Sequence, residues 1–89
     1  MRILFVCRGN VARSQIAEAI YNKLTGSNDA DSAGTHVEIN GETLGKRKIR
    51  VGKSFIVDVM TDNNYEVTNK KQTQLTKDML ENYDRVISM

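Results

Sequence analysis

The sequence predicts an α/β fold built on a parallel sheet, and three stretches carry this prediction. Residues 3–6 form a continuous apolar run, which is typical of a strand covered on both faces. Residues 13–25 repeat apolar side chains at helical spacing, and Gly26 is a suitable helix end. Residues 32–35 predict a short second strand followed by a turn. Strand, helix and strand in this order predict a right-handed βαβ unit.

The first predicted helix is amphipathic. Its apolar residues recur at helical spacing and are Ala12, Ile16, Ala17, Ile20 and Leu24. The polar residues between them are Gln15, Glu18 and Asn22. Residues 36–53 show no sustained period and carry several glycines, so the sequence predicts a loop there. Such a loop is long for a compact domain, which indicates a functional loop or an undetected element.

Two short helices and a third strand are predicted after residue 53. Ser54 is a suitable N-cap for the first of these helices, and Asn63-Asn64 is a suitable end. Its expected buried stripe is Phe55, Ile56, Val59 and Met60. Thr76 is a suitable N-cap for the second, which has Asp78 in its first turn. Its expected apolar face is Met79, Leu80 and Tyr83. Residues 85–89 predict the third strand.

The loop between the first strand and the first helix is the candidate functional site. A strand that leads through a glycine-containing turn into a helix can curl its backbone N–H groups around an anion. The helix adds unpaired N–H groups and the positive end of its dipole. We therefore expect phosphate to bind at Arg8, Gly9, Asn10, Val11, Ala12, Arg13 and Ser14.

The residue types of this loop divide the work. Cys7 is expected to be a thiolate, because the helix N-terminus, Arg13 and the loop amides all favour negative charge. The planar guanidinium of Arg13 matches two phosphoryl oxygens. Gly9 and Asn10 accept positive φ, and the hydroxyl of Ser14 is expected to reach the Cys7 sulfur. A lone cysteine after a strand is more often a small buried hydrophobe, so the combination of residues carries this interpretation.

Composition narrows the function classes. A chain of 89 residues is expected to form a single domain, residues 1–89. Its one cysteine excludes an internal disulfide, and His36 has no partner at zinc spacing, so we expect a solvated histidine, no metal and no cofactor. The N-terminal apolar run stops at Cys7, far short of a signal-peptide core or a membrane span. We therefore expect a cytoplasmic protein with a reduced cysteine and no membrane partner.

Basic residues crowd into one part of the chain. They are Lys46, Arg47, Lys48, Arg50 and Lys53, with no acidic residue among them. No aromatic residue is interleaved and the net charge is only +2, so we expect no nucleic-acid partner. The cluster is predicted to be a solvated loop face, and a basic rim that guides an anionic substrate is the functional alternative.

Six segments occur in one order along the chain. They are Ile3-Leu4-Phe5-Val6-Cys7, the loop to Arg13-Ser14, Ala17-Glu18-Ala19, Ser32-Ala33-Gly34-Thr35, Gln74-Leu75-Thr76 and Asp84-Arg85-Val86-Ile87-Ser88-Met89. Together they resemble the low-molecular-weight protein tyrosine phosphatase family and its relatives, the thioredoxin-coupled arsenate reductases. The resemblance spans the chain and is strongest in residues 3–20. It implies a flavodoxin-like three-layer fold with strand order 2-1-3 and a phosphate loop at the carboxyl end of the first strand.

The resemblance also implies roles for individual residues. Cys7 would be the nucleophile, while Arg13 and the loop amides would hold the phosphoryl group. Asn10 and Ser14 would order the loop, and Ser54 would match a serine that supports the loop asparagine. The implied partners are a phosphorylated protein or small phosphomonoester, with inorganic phosphate or another oxyanion as a ligand.

The chain departs from the family pattern in three respects. It has no proline, so the Asp-Pro general acid of the phosphatases is absent. Family members are substantially longer, so the chain resembles the N-terminal part of the fold, truncated after the third strand. The reductases use further cysteines, and this chain has only Cys7. The leading prediction is therefore a phosphotyrosine-type hydrolase with impaired activity. The alternatives are a non-catalytic oxyanion-binding module and an arsenate reductase that uses an external thiol.

The third strand is expected to lie at a sheet edge. In strand order 2-1-3, Val86 and Ile87 would belong to an exposed pairing surface. We therefore expect a homodimer, formed by edge pairing or by exchange of the terminal segment.

Overall fold

The computed structural model describes residues 1–89. In chain order its elements are β1 (Ile3–Cys7), α1 (Arg13–Thr25), β2 (Ala30–Gly34), α2 (Leu44–Val51), α3 (Phe55–Asp62), α4 (Lys77–Glu81) and β3 (Arg85–Ser88). The strands form one parallel sheet in the order β2-β1-β3. The predicted α/β fold and strand order are confirmed. None of the helices is both long and apolar enough to cross a membrane.

The central strand β1 is covered on both faces, as its continuous apolar run predicts. On one face, Leu4 and Val6 pack with Ala33 of β2 against residues of the α4 region. These residues are Leu75, Met79 and Tyr83. On the other face, the ring of Phe5 meets Tyr21 of α1 edge-on, with 6.2 Å between the ring centroids. The sheet is therefore the middle of three layers, and its carboxyl edge is free to carry a loop.

Helix α1 has the predicted bounds. Ile16 of its predicted apolar stripe is half-buried and packs against a hydrophobic core, but the fully buried residues of the helix are polar. Three polar residues of this helix, Ser14, Gln15 and Glu18, are buried. Leu24, expected in the apolar stripe, is 80% exposed. The polar residues can be buried because they hydrogen-bond to the phosphate loop and to β2. Gly26 ends the helix as predicted, with φ of 63°.

The loop predicted over residues 36–53 was wrong, because α2 occupies Leu44–Val51. The Thr43 hydroxyl caps this helix by accepting from the Lys46 backbone N–H at 3.1 Å. Gly52, with φ of 97°, ends it. Gly45 is typical of a helix breaker, yet it lies in the first turn of α2. The residue there is glycine because a Cβ would collide with Thr68. Gly45, which made the sequence typical of a loop, is therefore needed for the packing of α2 against Thr68.

Helix α3 begins after Ser54 and ends at Asn63, as predicted. A core forms from buried residues of α2, α3 and the segment that follows, namely Leu44, Ile56, Val57, Met60 and Val67. The expected burial of Phe55 was wrong, since its side chain is 78% exposed and Val57 is buried instead. Phe55 is the first residue of α3 and lies outside this core.

Helix α4 follows Thr76, although the Thr76 side chain makes no capping hydrogen bond. Of its expected apolar face, Met79 and Tyr83 pack on the sheet, whereas Leu80 is exposed. Strand β3 begins at Arg85 as predicted, and all four of its residues are exposed. The two edges of the sheet therefore differ sharply in burial, since most of β2 is buried.

Candidate active site

The phosphate loop, residues 7–14, begins where β1 ends. Cys7 is in register with Gly34 of β2, and Val6 is in register with Ser88 of β3. A cavity of about 210 Å³ opens at this edge of the sheet. Its lining residues are Val6, Cys7, Arg8, Arg13, Thr35, His36, Ser88 and Met89. The structure thus brings the predicted nucleophile and the predicted phosphate-binding arginine to one cavity.

The end of β2 braces the backbone of the phosphate loop. The N–H of Thr35 donates to the Cys7 carbonyl at 3.0 Å, and the N–H of His36 donates to the Arg8 carbonyl at 2.8 Å. A Cβ on Gly34 would lie 2.7 Å from both the Arg8 oxygen and the Asn10 nitrogen. Only glycine therefore allows this close approach. No local pattern in the sequence marks Gly34 for this role, because the contact joins two distant segments of the chain.

Asn10 takes the left-handed conformation that the loop requires, with φ of 53°. Gly9, expected to share this role, is not among the residues with positive φ. A Cβ on Gly9 would meet only Val11, at an ordinary 3.7 Å. The tight turn therefore depends on Asn10, whose side chain can be fixed by hydrogen bonds.

The thiol of Cys7 is buried and lies 2.9 Å from the Ser14 hydroxyl. Burial alone would raise the pKa of Cys7. That effect is outweighed by hydrogen bonds from the Ser14 side chain and from the Ser14 and Asn10 backbones, and by the charge of Arg13, so the pKa lies below its usual value. These hydrogen bonds and the charge of Arg13 thereby favour the thiolate form of Cys7.

Positive charge at the loop is left uncompensated. The side chains of Arg8 and Arg13 make no hydrogen bond or ion pair within the chain. Helix α1 starts after Ala12 without a side-chain cap and without an acidic residue in its first turn. Its dipole therefore adds to the arginine charges. A tetrahedral oxyanion would find backbone N–H groups and guanidinium donors together.

The side chain of Asn10 is fully buried and uses all of its hydrogen-bonding capacity. Its Nδ2 donates to Ser14 Oγ at 2.8 Å and to Ser32 Oγ at 2.9 Å. Its Oδ1 accepts from the Thr73 backbone N–H at 2.7 Å and from Gln15 Nε2 at 3.2 Å. Asn10 thus links the loop, α1, β2 and the segment before α4, which keeps the loop shape fixed without a ligand.

The serine that supports Asn10 is Ser32 and not Ser54. The Ser54 hydroxyl accepts from the Val57 backbone N–H at 3.3 Å and caps α3, so the expected contact with Asn10 is corrected. Ser32 is the middle residue of β2 and donates in turn to Glu18 Oε1 at 2.8 Å. Glu18 is paired with Lys70. Sequence reasoning missed Ser32, because its contact with Asn10 joins residues 22 positions apart in the chain.

The acidic residues that could serve as proton donors lie elsewhere. Asp58 pairs with Lys48 at 2.8 Å, and Asp84 accepts from the Arg2 backbone N–H at 2.7 Å. Neither these nor Asp62 lines the Cys7 cavity. His36 does line it, with Nδ1 3.0 Å from the Thr35 hydroxyl, and its side chain is exposed to solvent, as the sequence predicted.

The basic cluster is partly neutralised in space. Arg50 pairs with Glu42 at 2.8 Å and with Glu38 at 3.0 Å, and Lys48 pairs with Asp58. The pKa of Glu42 lies below its usual value because of its hydrogen bond to Arg50. The three remaining basic residues, Lys46, Arg47 and Lys53, have no ion pair. No group of three or more His, Cys, Asp and Glu residues lies close enough to hold a metal ion.

Solved structures with this fold are similar to the whole chain. A low molecular weight protein tyrosine phosphatase from T. tengcongensis is 28% identical with a TM-score of 0.71, and the match covers 100% of this chain and 58% of that one. Wzb from Vibrio vulnificus, in complex with benzylphosphonate, is 27% identical with a TM-score of 0.79, covering 99% and 57%. The YwlE arginine phosphatase from Geobacillus stearothermophilus is 27% identical with a TM-score of 0.74, covering 99% and 51%. The chain therefore spans little more than half the length of these structures.

A comparison with curated proteins found no match. The family model described as low molecular weight phosphotyrosine protein phosphatase matches residues 2–89. This match covers nearly the whole chain and includes the loop that holds Cys7 and Arg13. The chain therefore belongs to the low molecular weight phosphotyrosine protein phosphatase family.

Proposed function

We propose that the chain is a cysteine-dependent phosphomonoester hydrolase of the phosphotyrosine type, acting through its C-x5-R-S loop. One observation carries the proposal: the Cys7 thiol, with a lowered pKa, is held 2.9 Å from Ser14 at the base of a loop whose arginines are unpaired. Activation of a nucleophile and affinity for an oxyanion then have one cause, because the same positive charge favours the thiolate and the phosphate.

The proposed reaction has two steps. The Cys7 thiolate attacks phosphorus, the bond from phosphorus to the ester oxygen breaks, and the leaving oxygen takes up a proton from water. Water then attacks the phosphocysteine, which releases inorganic phosphate and restores the thiolate. Arg13 and the loop amides stabilise the charge on the equatorial oxygens in both steps. The Ser14 hydroxyl donates to the sulfur when it is the leaving group.

The named relatives suggest two substrate classes. Benzylphosphonate, bound to the Vibrio vulnificus protein, has an aryl group one carbon from phosphorus, and the Geobacillus stearothermophilus protein is an arginine phosphatase. We favour aryl phosphates, because a phenolate, whose conjugate acid has a pKa of about 10, leaves more readily without a proton donor than the more basic guanidine of phosphoarginine. Peptides carrying phosphotyrosine or phosphoarginine at the same position separate the two, and faster release of phosphate from phosphotyrosine is the expected result.

Turnover of nitrophenyl phosphate is the direct test. We expect measurable hydrolysis that vanadate inhibits, and a phosphocysteine at Cys7 after rapid acid quench. Cys7→Ser should abolish turnover, since a serine hydroxyl stays protonated, while phosphate binding persists. Arg13→Lys should weaken both turnover and phosphate binding, because an ammonium group cannot make the bidentate contact. Turnover that survives in Cys7→Ser would contradict the proposal.

A non-catalytic oxyanion-binding module is the second candidate, and one observation favours it. The residues that line the Cys7 cavity include no carboxylate that could protonate a leaving group. A positioned acid contributes about 10²–10⁴-fold to such reactions. Without one, turnover should depend steeply on the acidity of the phenol and nearly vanish for alkyl phosphates. A flat dependence would show that a proton donor acts here, and no turnover of any ester would favour the binding module.

The cellular setting is also a proposal. The only cysteine, Cys7, must stay reduced to act, which fits the cytoplasm.

We also propose that the chain forms a homodimer through β3. Val86 and Ile87 are 42% and 41% exposed on this edge strand, which leaves backbone groups free to pair.

A further inference from the structure

A second cavity, which we call the α2–α3 cavity, also borders the phosphate loop. It has a volume of about 520 Å³ and is walled by the loop residues Val11 and Ala12, and by residues from α2, α3 and the turn that joins them. Neither Cys7 nor Arg13 lines it. It is therefore separate from the nucleophile's cavity and shares only the loop with it.

Two cations of the α2–α3 cavity lack partners. Arg47 makes no hydrogen bond or ion pair, and its Nε–H is buried with no acceptor. Lys53 lines the same cavity and has no ion pair either. The carboxylate in the wall, Asp58, is already paired with Lys48 at 2.8 Å. A buried donor without an acceptor is costly, so the cavity is suited to an anionic group that accepts from Arg47.

Apart from Ser54, the rest of the cavity wall is apolar. Val11 and Ala12 come from the loop, and Phe55 and Val51 come from the two helices. The Phe55 side chain is 78% exposed, which is unusual for a large aromatic residue outside an interface. The wall therefore offers an apolar surface beside two unpaired cations, and its ligand should combine an apolar group with a negative charge.

We propose that the α2–α3 cavity is a subsite for the part of a phosphoprotein substrate that flanks the phosphorylated residue, and that it selects an acidic residue next to an apolar one. The inference rests on the proposed function. Val11 and Ala12 join the two sites, because their N–H groups belong to the anion-binding loop while they also wall the α2–α3 cavity. A peptide with its phosphoryl group over Cys7 reaches this cavity by crossing the loop rim.

Peptides with a non-hydrolysable phosphonate in place of the phosphate measure this selectivity without turnover. One peptide carries Glu-Leu beside the phosphonate residue, and a matched peptide carries Gln-Ser. We expect the acidic peptide to bind the unmodified chain about tenfold more tightly at low salt. In the double variant Arg47→Gln with Lys53→Gln this ratio should fall to about one.

Lys46→Gln is the matched control, because Lys46 lies on the same helix, is exposed and does not line the cavity. It removes one positive charge and should keep most of the tenfold ratio. Equal binding of the two peptides to the unmodified chain would overturn the inference. An equal loss of selectivity in Lys46→Gln would do the same, because it would reduce the effect to general attraction between charges.

A second measurement separates this inference from the proposed function. The acidic peptide without phosphonate, followed by NMR, should shift the Arg47 Nε–H and the Val11 amide. Inorganic phosphate should shift the amides of residues 9–14. A response to phosphate without a response to the peptide overturns the inference alone. A response to the peptide without one to phosphate overturns the proposed function, and with it the role of the cavity in substrate binding.

Discussion

The two strands that flank β1, β2 and β3, differ in their contacts with the phosphate loop. On the β2 side, Gly34 lies against the loop backbone and Ser32 bonds to Asn10 at 2.9 Å. On the β3 side, Met89 donates its N–H to the Val6 carbonyl at 2.8 Å, and the strand residues are exposed. The loop backbone is therefore braced from the β2 flank, while the β3 flank is exposed and contributes Ser88 and Met89 to the wall of the Cys7 cavity.

The difference between the β2 and β3 flanks reflects where the buried polar side chains lie, which is behind the phosphate loop on the β2 side. Asn10, Ser14, Ser32 and Glu18 are all buried, and all four are linked by hydrogen bonds behind the loop. Such a network specifies one geometry, because each member would leave an unpaired group if it moved. Comparable order is absent on the β3 flank, so changes there should affect assembly more than the shape of the loop.

Removing Asn10 should have the largest effect on stability. Asn10→Ala leaves the Thr73 N–H without its acceptor, removes one hydrogen bond each from Ser32 and Ser14, and places alanine at a φ of 53°. We expect a loss of about 3 kcal/mol in the free energy of unfolding, measured with urea. Ser88→Ala, on the exposed β3 flank, is the control and should change that free energy by less than about 0.5 kcal/mol. Equal losses of unfolding free energy in Asn10→Ala and Ser88→Ala would contradict the difference between the β2 and β3 flanks.

Adding a methyl group at the β2 contact should have the next largest effect. In Gly34→Ala the new Cβ meets backbone atoms at 2.7 Å, which cannot move without distorting the loop. We expect a loss of about 2 kcal/mol in unfolding free energy and weaker phosphate binding. Gly9→Ala is matched to it, since a Cβ there meets only Val11 at 3.7 Å. If Gly9→Ala is the more damaging change, the loop is not braced by β2 in the way described.

Whether the sequence alone predicts a feature depends on how far apart along the chain the contacting residues lie. The strand, the Cys7 loop and the helix after it could be predicted because their signals lie within about twenty-five residues of chain. Ser32 and Gly34 act through contacts with distant residues, so their local sequence marks them only as a strand end. Helix α2 was missed because Gly45, which packs against Thr68, has the same appearance in sequence as a breaker.

The Ser14 hydroxyl should have a moderate effect that is visible through pH. Ser14→Ala removes the side-chain hydrogen bond at 2.9 Å, so the pKa of Cys7 should rise. The rate of alkylation by iodoacetate against pH should then have its midpoint at higher pH than in the unmodified chain. Phosphate should protect Cys7 in both. An unchanged midpoint would mean that the loop amides and Arg13 alone set the pKa.

The same lowered pKa makes stability depend on pH. The folded Cys7 thiol releases its proton at lower pH than the unfolded one, so this contribution is complete above the unfolded pKa and is lost as pH falls through the folded pKa. Unfolding free energy should therefore rise with pH across that window, and less steeply in Ser14→Ala. Urea titrations between about pH 5 and about pH 9 test the sign. A slope of the opposite sign would contradict a stabilised thiolate.

Substitution on the β3 flank should have the smallest effect on the fold and a clear effect on assembly. Val86 lies on the edge strand and is 42% exposed, and a lysine there discourages pairing with another strand. In sedimentation velocity we expect the unmodified chain to dimerise at high micromolar concentration and Val86→Lys to remain monomeric. The unfolding free energy at low concentration should change by less than about 0.5 kcal/mol. Leu24→Lys, at a position on α1 that is 80% exposed, makes the same chemical change away from the edge and should leave the dimer intact. A monomeric unmodified chain, or a dimer that Leu24→Lys disrupts and Val86→Lys spares, would place any self-association away from β3.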